Sequence, residues 1–365
     1  IIGAGAAGLT CGHYLVRIGY EVDVYESEDV AGGVLAYGIP EYRLPTDILQ
    51  HEIKLIEQEG VIIHLNTEVG KDVTFDHLRK NSDALFVSTG TQMPQKAGIP
   101  GENLRGVIHG IDFLKKVKLK RGMEVGKHVV VIGGGNTAID SARTALRLGA
   151  KKVTVLYRRT LNMMPAYEAE VHEAIKEGVE IIPLAQPARF IGNADYRVVQ
   201  VEYMKMQLGE FDSSGRRKSV PSSEPNQFID VDTVIPAISQ YADLPFIPVG
   251  EIGRTQWGTF TVDPDTMMTT MKGVFAGGDI VRGPDSVIQA IADGKKAAIA
   301  IDKFFGGRGA LNRGEAIKIP RQHDDDDVVE LPRYPLDMLE LERRKGCFDE
   351  VVLGYHKLTA IAESM

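Results

Sequence analysis

Apolar residues along this chain recur in two alternating rhythms. Short β-branched runs end in glycine-rich turns, and stretches of helical spacing follow that are closed again by glycine. Ile1-Ile2 leads into Gly3, a helical pattern continues from Cys11 to Ile18 and stops at Gly19, and Glu21 to Glu26 alternates as a strand. The same order returns later: a strand at His128–Ile132, a helix to Leu148 closed by Gly149, and a strand at Val153–Leu156. Between and after these units the pattern predicts a helix capped by Thr46 or Asp47 and running to about Glu59, then strands at Val61–Leu65 and 84–91. It also predicts a helix from about Tyr167 to Lys176, a small meander built from 198–207 and 228–235, and a short strand within 271–279. A long, well-capped helix follows Pro284-Asp285-Ser286-Val287, with Val287, Ile288, Ile291, Ala298, Ile299 and Ile301 as its apolar positions. Near the end, Leu339–Lys345 reads as a short helix, Phe348–Leu353 as a strand and His356–Met365 as the start of a helix.

Gly, Pro and polar density marks the connections. Residues 31–45 read as a loop whose apolar residues pack on something, with Arg43 able to contact a ligand beneath it. Residues 93–100 read as a crossing between domains, 213–226 as an exposed loop, 321–335 as extended linker, and Asp324–Asp327 as a solvated acid run.

The two strand–turn–helix–strand units carry the chemistry. Gly3, Gly5 and Gly8 form G-x-G-x-x-G; Gly133, Gly135 and Ala138 form G-x-G-x-x-A. The first glycine allows the tight turn, the second lets a pyrophosphate approach the backbone, and the third small residue lets the helix pack closely. Each helix start then offers free N–H groups and a positive dipole end to phosphate. Two such layouts in one chain predict an α/β protein with two Rossmann-like dinucleotide-binding domains.

The units differ at the end of their second strand. Glu26 lies 23 residues after Gly3, where an acid accepts from a ribose hydroxyl. The second unit ends instead in Tyr157-Arg158-Arg159, and a guanidinium pair suits a 2′-phosphate. The second site therefore reads as one for NADP(H). The 84–91 strand ends in Ser-Thr-Gly, which lets a ligand lie near Thr89 and Gly90, and Asp279 stands between a strand and a helix, placed for a ribose or ribityl hydroxyl.

Composition narrows the field. With 365 residues, 25% charged and 43% hydrophobic, this is a globular chain of about two domains. A net charge of −8 argues against a nucleic-acid surface, and no apolar run is long enough for a membrane span. No signal peptide is visible. Cys11 and Cys347 are the only cysteines, neither in a C-x-x-C, which points to a reducing, cytoplasmic setting. They also leave this sequence without the ligands for an iron–sulfur cluster of its own. Only two residues precede Gly3, so the expectation is that a segment lies upstream.

Several runs together resemble one family. Gly33-Val34-Leu35-Ala36-Tyr37-Gly38-Ile39-Pro40-Glu41-Tyr42-Arg43-Leu44-Pro45 looks like the glutamate synthase small subunit family. That family also includes the NADPH/FAD domains of dihydropyrimidine dehydrogenase and the large subunit of NADH-dependent ferredoxin:NADP oxidoreductase. Gly133 to Asp140, Tyr157-Arg158-Arg159 with Met164-Pro165-Ala166, Ala276 to Asp279 and Phe348 to Val351 resemble it as well. The resemblance implies that the second dinucleotide domain is inserted in the first. FAD is expected in 1–100 and 246–310, NADP(H) in 101–245, and a C-terminal extension in 311–365.

For FAD, the implied contacts are Gly3, Gly5, Ala6, Ala7, Gly8 and Glu26, then Gly33, Leu35, Arg43, Val69, Thr89 and Gly90, and finally Gly278, Asp279, Ser286 and Val287. For NADP(H) they are Gly133, Gly135, Asn136, Thr137, Ala138, Arg158 and Arg159. Iron–sulfur clusters are expected only in a partner or in a missing segment.

The implied activity is electron transfer between NADPH and an iron–sulfur partner through FAD, with no catalytic side chain required for hydride transfer. An alternative is the same module inside an electron-bifurcating transhydrogenase, hydrogenase or dehydrogenase complex. A thioredoxin reductase needs the C-x-x-C that this sequence lacks. A flavin monooxygenase and a nucleotide-binding subunit without turnover are the remaining rivals.

Overall fold

The computed structural model describes residues 1–211, 215, 217–248, 250–311 and 332–364. The Asp324–Asp327 run, most of the 321–335 linker, Ser213, Ser214 and Arg216 in the 213–226 loop, and Met365 lie outside the described residues.

Two parallel sheets organise the chain. In the first, Asp23–Tyr25 pairs with Ile62–His64, and Leu85–Val87 pairs with Val274–Ala276. Ile2 bridges both Tyr25 and Val87, so it lies between the two pairs as the central position. The Ala6–Arg17 helix leaves directly from this centre. It packs on the sheet through Ala7, Leu9, Cys11 and Leu15, in one apolar core with Val24, Phe86, Phe275, Ala297 and Ile301. The last two belong to the Val287–Phe304 helix, which crosses the first helix closely: a Cβ on Gly294 would stand 2.2 Å from the Ala7 carbonyl oxygen.

The second sheet has the order Thr233–Pro236, His128–Ile132, Lys152–Tyr157, Glu180–Pro183, all parallel. Its inner strands are buried on both faces from Val129 to Ile132 and from Val153 to Tyr157, as their mainly apolar, β-branched runs require. The Asn136–Arg147 helix covers it through Ala138, Ile139, Ala142 and Ala145, all fully buried. Beside this sheet the long strand Val198–Phe211 carries Ala185–Gly192 on one edge, and Arg217–Pro221 and Gln227–Asp230 on the other. The expected 228–235 strand is thus two. Its first half joins this antiparallel meander; its second half is the edge of the parallel sheet.

The chain leaves the first sheet after Leu85–Val87 and returns to it at Val274–Ala276, with the second sheet formed in between. The two crossings pair: Met93–Pro94 runs antiparallel to Gln240–Tyr241. Near the C-terminus, Asp337–Met338 pairs with Val352–Gly354, flanking the Leu341–Arg344 turn of helix. Arg344 is buried there and ion-pairs with Glu173 on the Glu168–Glu177 helix.

Two helix starts differ from expectation. The Thr46–Gln58 helix has no N-cap side-chain bond because its N-cap position is Pro45, which has no side-chain acceptor. Thr46 is its first residue, and its hydroxyl donates to Glu41 Oε2 at 2.5 Å. The long helix begins after Ser286, also without a side-chain cap. Its first apolar positions, Val287, Ile288 and Ile291, are exposed, and burial starts only at Asp293 and Gly294.

Candidate functional site

The first cleft opens at the C-terminal edge of the first sheet, where ligands of open parallel sheets bind. Gly3 makes the turn at φ +99°, and a Cβ there would meet the Ser88 carbonyl oxygen at 2.7 Å. A Cβ on Gly8 would stand 2.1 Å from the Gly3 oxygen, so the helix reaches the strand only without one. Gly5 has neither constraint. Its φ of −79° suits any residue, and no protein atom lies within 4 Å of where its Cβ would stand. The adjoining Ala6–Arg17 helix has no side-chain cap, which leaves its first N–H groups facing this space.

Glu26 is 5% exposed and held in place from both sides. Its Oε2 accepts from Ala4 N–H at 2.9 Å and its Oε1 from Glu28 N–H at 2.9 Å. The Gly32–Gly33 segment lies against the glycine turn: a Cβ on Gly33 would be 2.9 Å from Gly5 Cα. The 31–45 loop then contains a helical turn, Val34–Tyr37, that the glycine density conceals. Asp279 enters from the far end of the chain. Gly278, at φ +74°, donates its N–H to the buried Asp293 carboxylate, which also grips Arg282. Burial pushes the Asp279 carboxyl up to about 6, with the Asp285 and Asp293 charges acting in the same direction.

Of the residues expected around FAD, the cleft is lined by Gly3, Gly5, Ala6, Ala7, Glu26, Gly33, Leu35, Thr89, Gly90, Gly278, Asp279, Ser286 and Val287. Three are placed elsewhere. Gly8 lies beneath the turn as a packing residue. Val69 is in a core with Phe75, Leu78 and Ile247. Arg43 turns to the second unit, where its guanidinium bonds both Asp140 oxygens at 2.8–2.9 Å and approaches Glu170 at 3.4 Å. Next to it, Tyr42 is fully buried, with Arg147 3.9 Å and Arg143 4.8 Å from its ring. The loop expected to pack on something packs here.

The second turn repeats the first. Gly133 has φ +141°, and a Cβ there would meet the Ala237 oxygen at 2.3 Å. Gly135, at φ −88°, again faces open space with nothing within 4 Å of a Cβ, before an uncapped helix. Ala138 fills the third position and is fully buried. Asn136 is already engaged, since its Oδ1 accepts from Tyr167 N–H at 3.0 Å at the start of the next helix. The Thr137 carbonyl accepts from Ser141 Oγ at 2.7 Å. Strand register, Ile132 beside Leu156, brings the Gly133 turn and Arg158–Arg159 to one sheet edge. Arg158 is exposed, and Arg159 donates through Nε to the Arg217 carbonyl at 3.1 Å.

A dinucleotide fits the first cleft. Tyr37, Thr89 and Thr91 each hold a buried hydroxyl without a hydrogen-bond partner and line it. A buried polar atom is costly to leave unpaired, so three around one cleft are prepared for a polar ligand. Tyr37 and Thr91 are absent from the sequence expectations. The only signal for Tyr37 was an aromatic residue inside a glycine-rich loop. Among the described residues, no cluster suits a metal ion and no helix is long and apolar enough to cross a membrane.

Comparison with known proteins agrees with this geometry. The family profile of the pyridine nucleotide-disulphide oxidoreductases matches residues 1–294. The chain is 46% identical over 308 residues to the beta subunit of NADP(+)-dependent formate dehydrogenase from Moorella thermoacetica, covering 84% of this chain and 43% of that one. It is 40% identical to a putative small chain of NADPH glutamate synthase from Cereibacter sphaeroides, covering 82% of this chain and 75% of the relative. The chain thus spans under half the length of the Moorella subunit. Among solved structures, Mycobacterium tuberculosis FprA in complex with NADPH superposes with a TM-score of 0.71 over 84% of this chain and 83% of that one. At 18% identity, that likeness concerns the fold.

Proposed function

This chain belongs to the pyridine nucleotide-disulphide oxidoreductase family of NAD(P)H-dependent flavin oxidoreductases, and from that premise we propose that it passes electrons between NADPH and an iron–sulfur partner. In this reading FAD occupies the first cleft and NADP(H) the second turn. Residues 1–100 and 246–310 form the FAD domain, 101–245 the NADP(H) domain, and 311–365 an extension.

The observation that carries the reading is the pair Gly5 and Gly135. Neither needs glycine for its φ, and neither has a protein neighbour to avoid. Each sits before an uncapped helix start, so a phosphate-bearing ligand is the remaining reason for the missing side chain. When bound, FAD supplies the exchange between a two-electron hydride donor and single-electron carriers. The chain's own residues bind and orient. Uncapped N–H groups of the Ala6 and Asn136 helices hold phosphate, Glu26 accepts from a ribose hydroxyl, and Arg158 and Arg159 hold the 2′-phosphate that distinguishes NADPH.

The family name includes disulfide chemistry, but this chain's thiols do not suit it. Cys11 is fully buried in the core, with burial pushing its thiol up to about 12, and Cys347 lies in the extension. The relatives named above are a beta subunit and a small chain, which supports a redox partner on another subunit or segment. The test is reconstitution with FAD followed by anaerobic NADPH. The reading expects stoichiometric flavin uptake and rapid loss of the oxidised-flavin absorption. Protein that takes up no flavin, or flavin that stays oxidised, contradicts it.

A further inference from the structure

Tyr37 is the last residue of the Val34–Tyr37 turn, 2% exposed, and its hydroxyl has no hydrogen-bond partner although it lines the first cleft. Burial, and then the charges of Glu26, Glu28 and Asp279, push the pKa of its phenol well above the ordinary value. The phenol therefore stays protonated, a neutral donor among carboxylates that offer it no bond. Those carboxylates come from both ends of the cleft: Glu26 at the ribose-binding strand end and Asp279 at the returning turn. The turn that carries Tyr37 starts at Gly33, in contact with Gly5, and the Tyr37 N–H donates to the Gly33 carbonyl at 3.2 Å. The ring itself is fixed from the second unit, with Lys115 Nζ 4.9 Å from its centroid. Lys115 in turn bonds Glu28 at 2.5 Å, so the ring is clamped while its hydroxyl has no partner.

We propose that the Tyr37 hydroxyl donates a hydrogen bond to the ribose–diphosphate stem of the dinucleotide in the first cleft, making Tyr37 a cofactor-binding residue. This rests on the reading of that cleft as the FAD site. A buried hydroxyl without a partner destabilises the empty protein, and a hydrogen bond to a charged oxygen reverses that sign in the loaded one. Tyr37→Phe removes only the oxygen and keeps the ring beneath Lys115.

The experiment measures FAD dissociation by flavin fluorescence, and melting of apoprotein and FAD-loaded protein, for wild type and Tyr37→Phe. The expected result is about tenfold weaker FAD binding in the variant, the low end for losing one bond to a charged group. Its apoprotein should melt at or above the wild-type temperature, so that the rise on FAD loading shrinks. Equal dissociation constants within about twofold overturn the proposal while leaving the FAD site intact. An apoprotein variant that melts clearly below wild type also overturns it, because the hydroxyl then supports the fold rather than the ligand. Wild-type protein that takes up no FAD removes the reading of the cleft, and the inference with it.

Discussion

The two glycine turns of this molecule are near copies in backbone and opposites in chemistry. Both begin with a glycine at positive φ, +99° at Gly3 and +141° at Gly133, and both place an unstrained glycine under open space before an uncapped helix. They part at the third small residue and at the end of the second strand. In the first, Gly8 is forced by the Gly3 carbonyl oxygen, 2.1 Å from where a Cβ would stand. In the second, that position tolerates the Cβ of Ala138. The first strand end presents a buried acceptor, Glu26; the second presents the exposed Arg158 and the partly engaged Arg159. In the proposed reading, one backbone device offers a phosphate seat twice, and a few side chains beyond it decide which dinucleotide each seat suits.

Substitution at the third position separates the two turns most sharply. Gly8→Ala drives a Cβ into backbone, at a cost of about 3 kcal/mol in unfolding free energy and with loss of FAD binding, read by denaturant titration and flavin content. Asp279→Asn gives a smaller effect with a pH signature. The carboxyl's value rises from 3.8 in the unfolded chain to about 6 in the folded one. Its contribution is therefore fully present below about pH 4 and is lost as pH climbs through about 6. The apoprotein of Asp279→Asn should lack that decline and be more stable than wild type by about 2 kcal/mol near neutral pH, after allowance for partial solvent screening. Parallel stability curves for the two proteins across this range would refute the burial argument. Smallest is Ala138→Gly, the reverse exchange in the second turn. It should cost about 1 kcal/mol by helix propensity and leave NADPH binding in place, measured by calorimetry. Equal penalties for Gly8→Ala and Ala138→Gly would erase the packing difference between the turns.

Much of this was legible in the sequence because it is local. Glycine spacing, β-branched strands and the acid or arginine pair at the strand end lie within some thirty residues of each other. What escaped depends on partners distant in the chain. Arg43 sits in a loop beside the cleft, but its guanidinium turns to Asp140, 97 positions later. Val69 looks like its neighbours in sequence and is core because Phe75 and Ile247 close over it. Ile288 follows the apolar spacing of its helix and is 68% exposed, since the Ala6–Arg17 helix covers only the later turns. The 228–235 stretch reads as one strand and divides between two sheets, a choice made by Val129 to Ile132 rather than by its own residues. Tyr37 escaped for another reason: glycines on both sides mask a turn of helix that aims its ring inward.

The central claim is that the second turn, through Arg158 and Arg159, selects NADPH to reduce flavin held by the first. Stopped-flow reduction of the FAD-loaded protein by NADPH and by NADH, in wild type and in the Arg158→Ala/Arg159→Ala double variant, tests it directly. The account predicts full flavin content in both proteins and a clear NADPH preference in wild type. That preference should fall roughly 10- to 100-fold in the variant, as loss of a charge-assisted phosphate contact implies. An unchanged preference in a variant with full flavin content would contradict it.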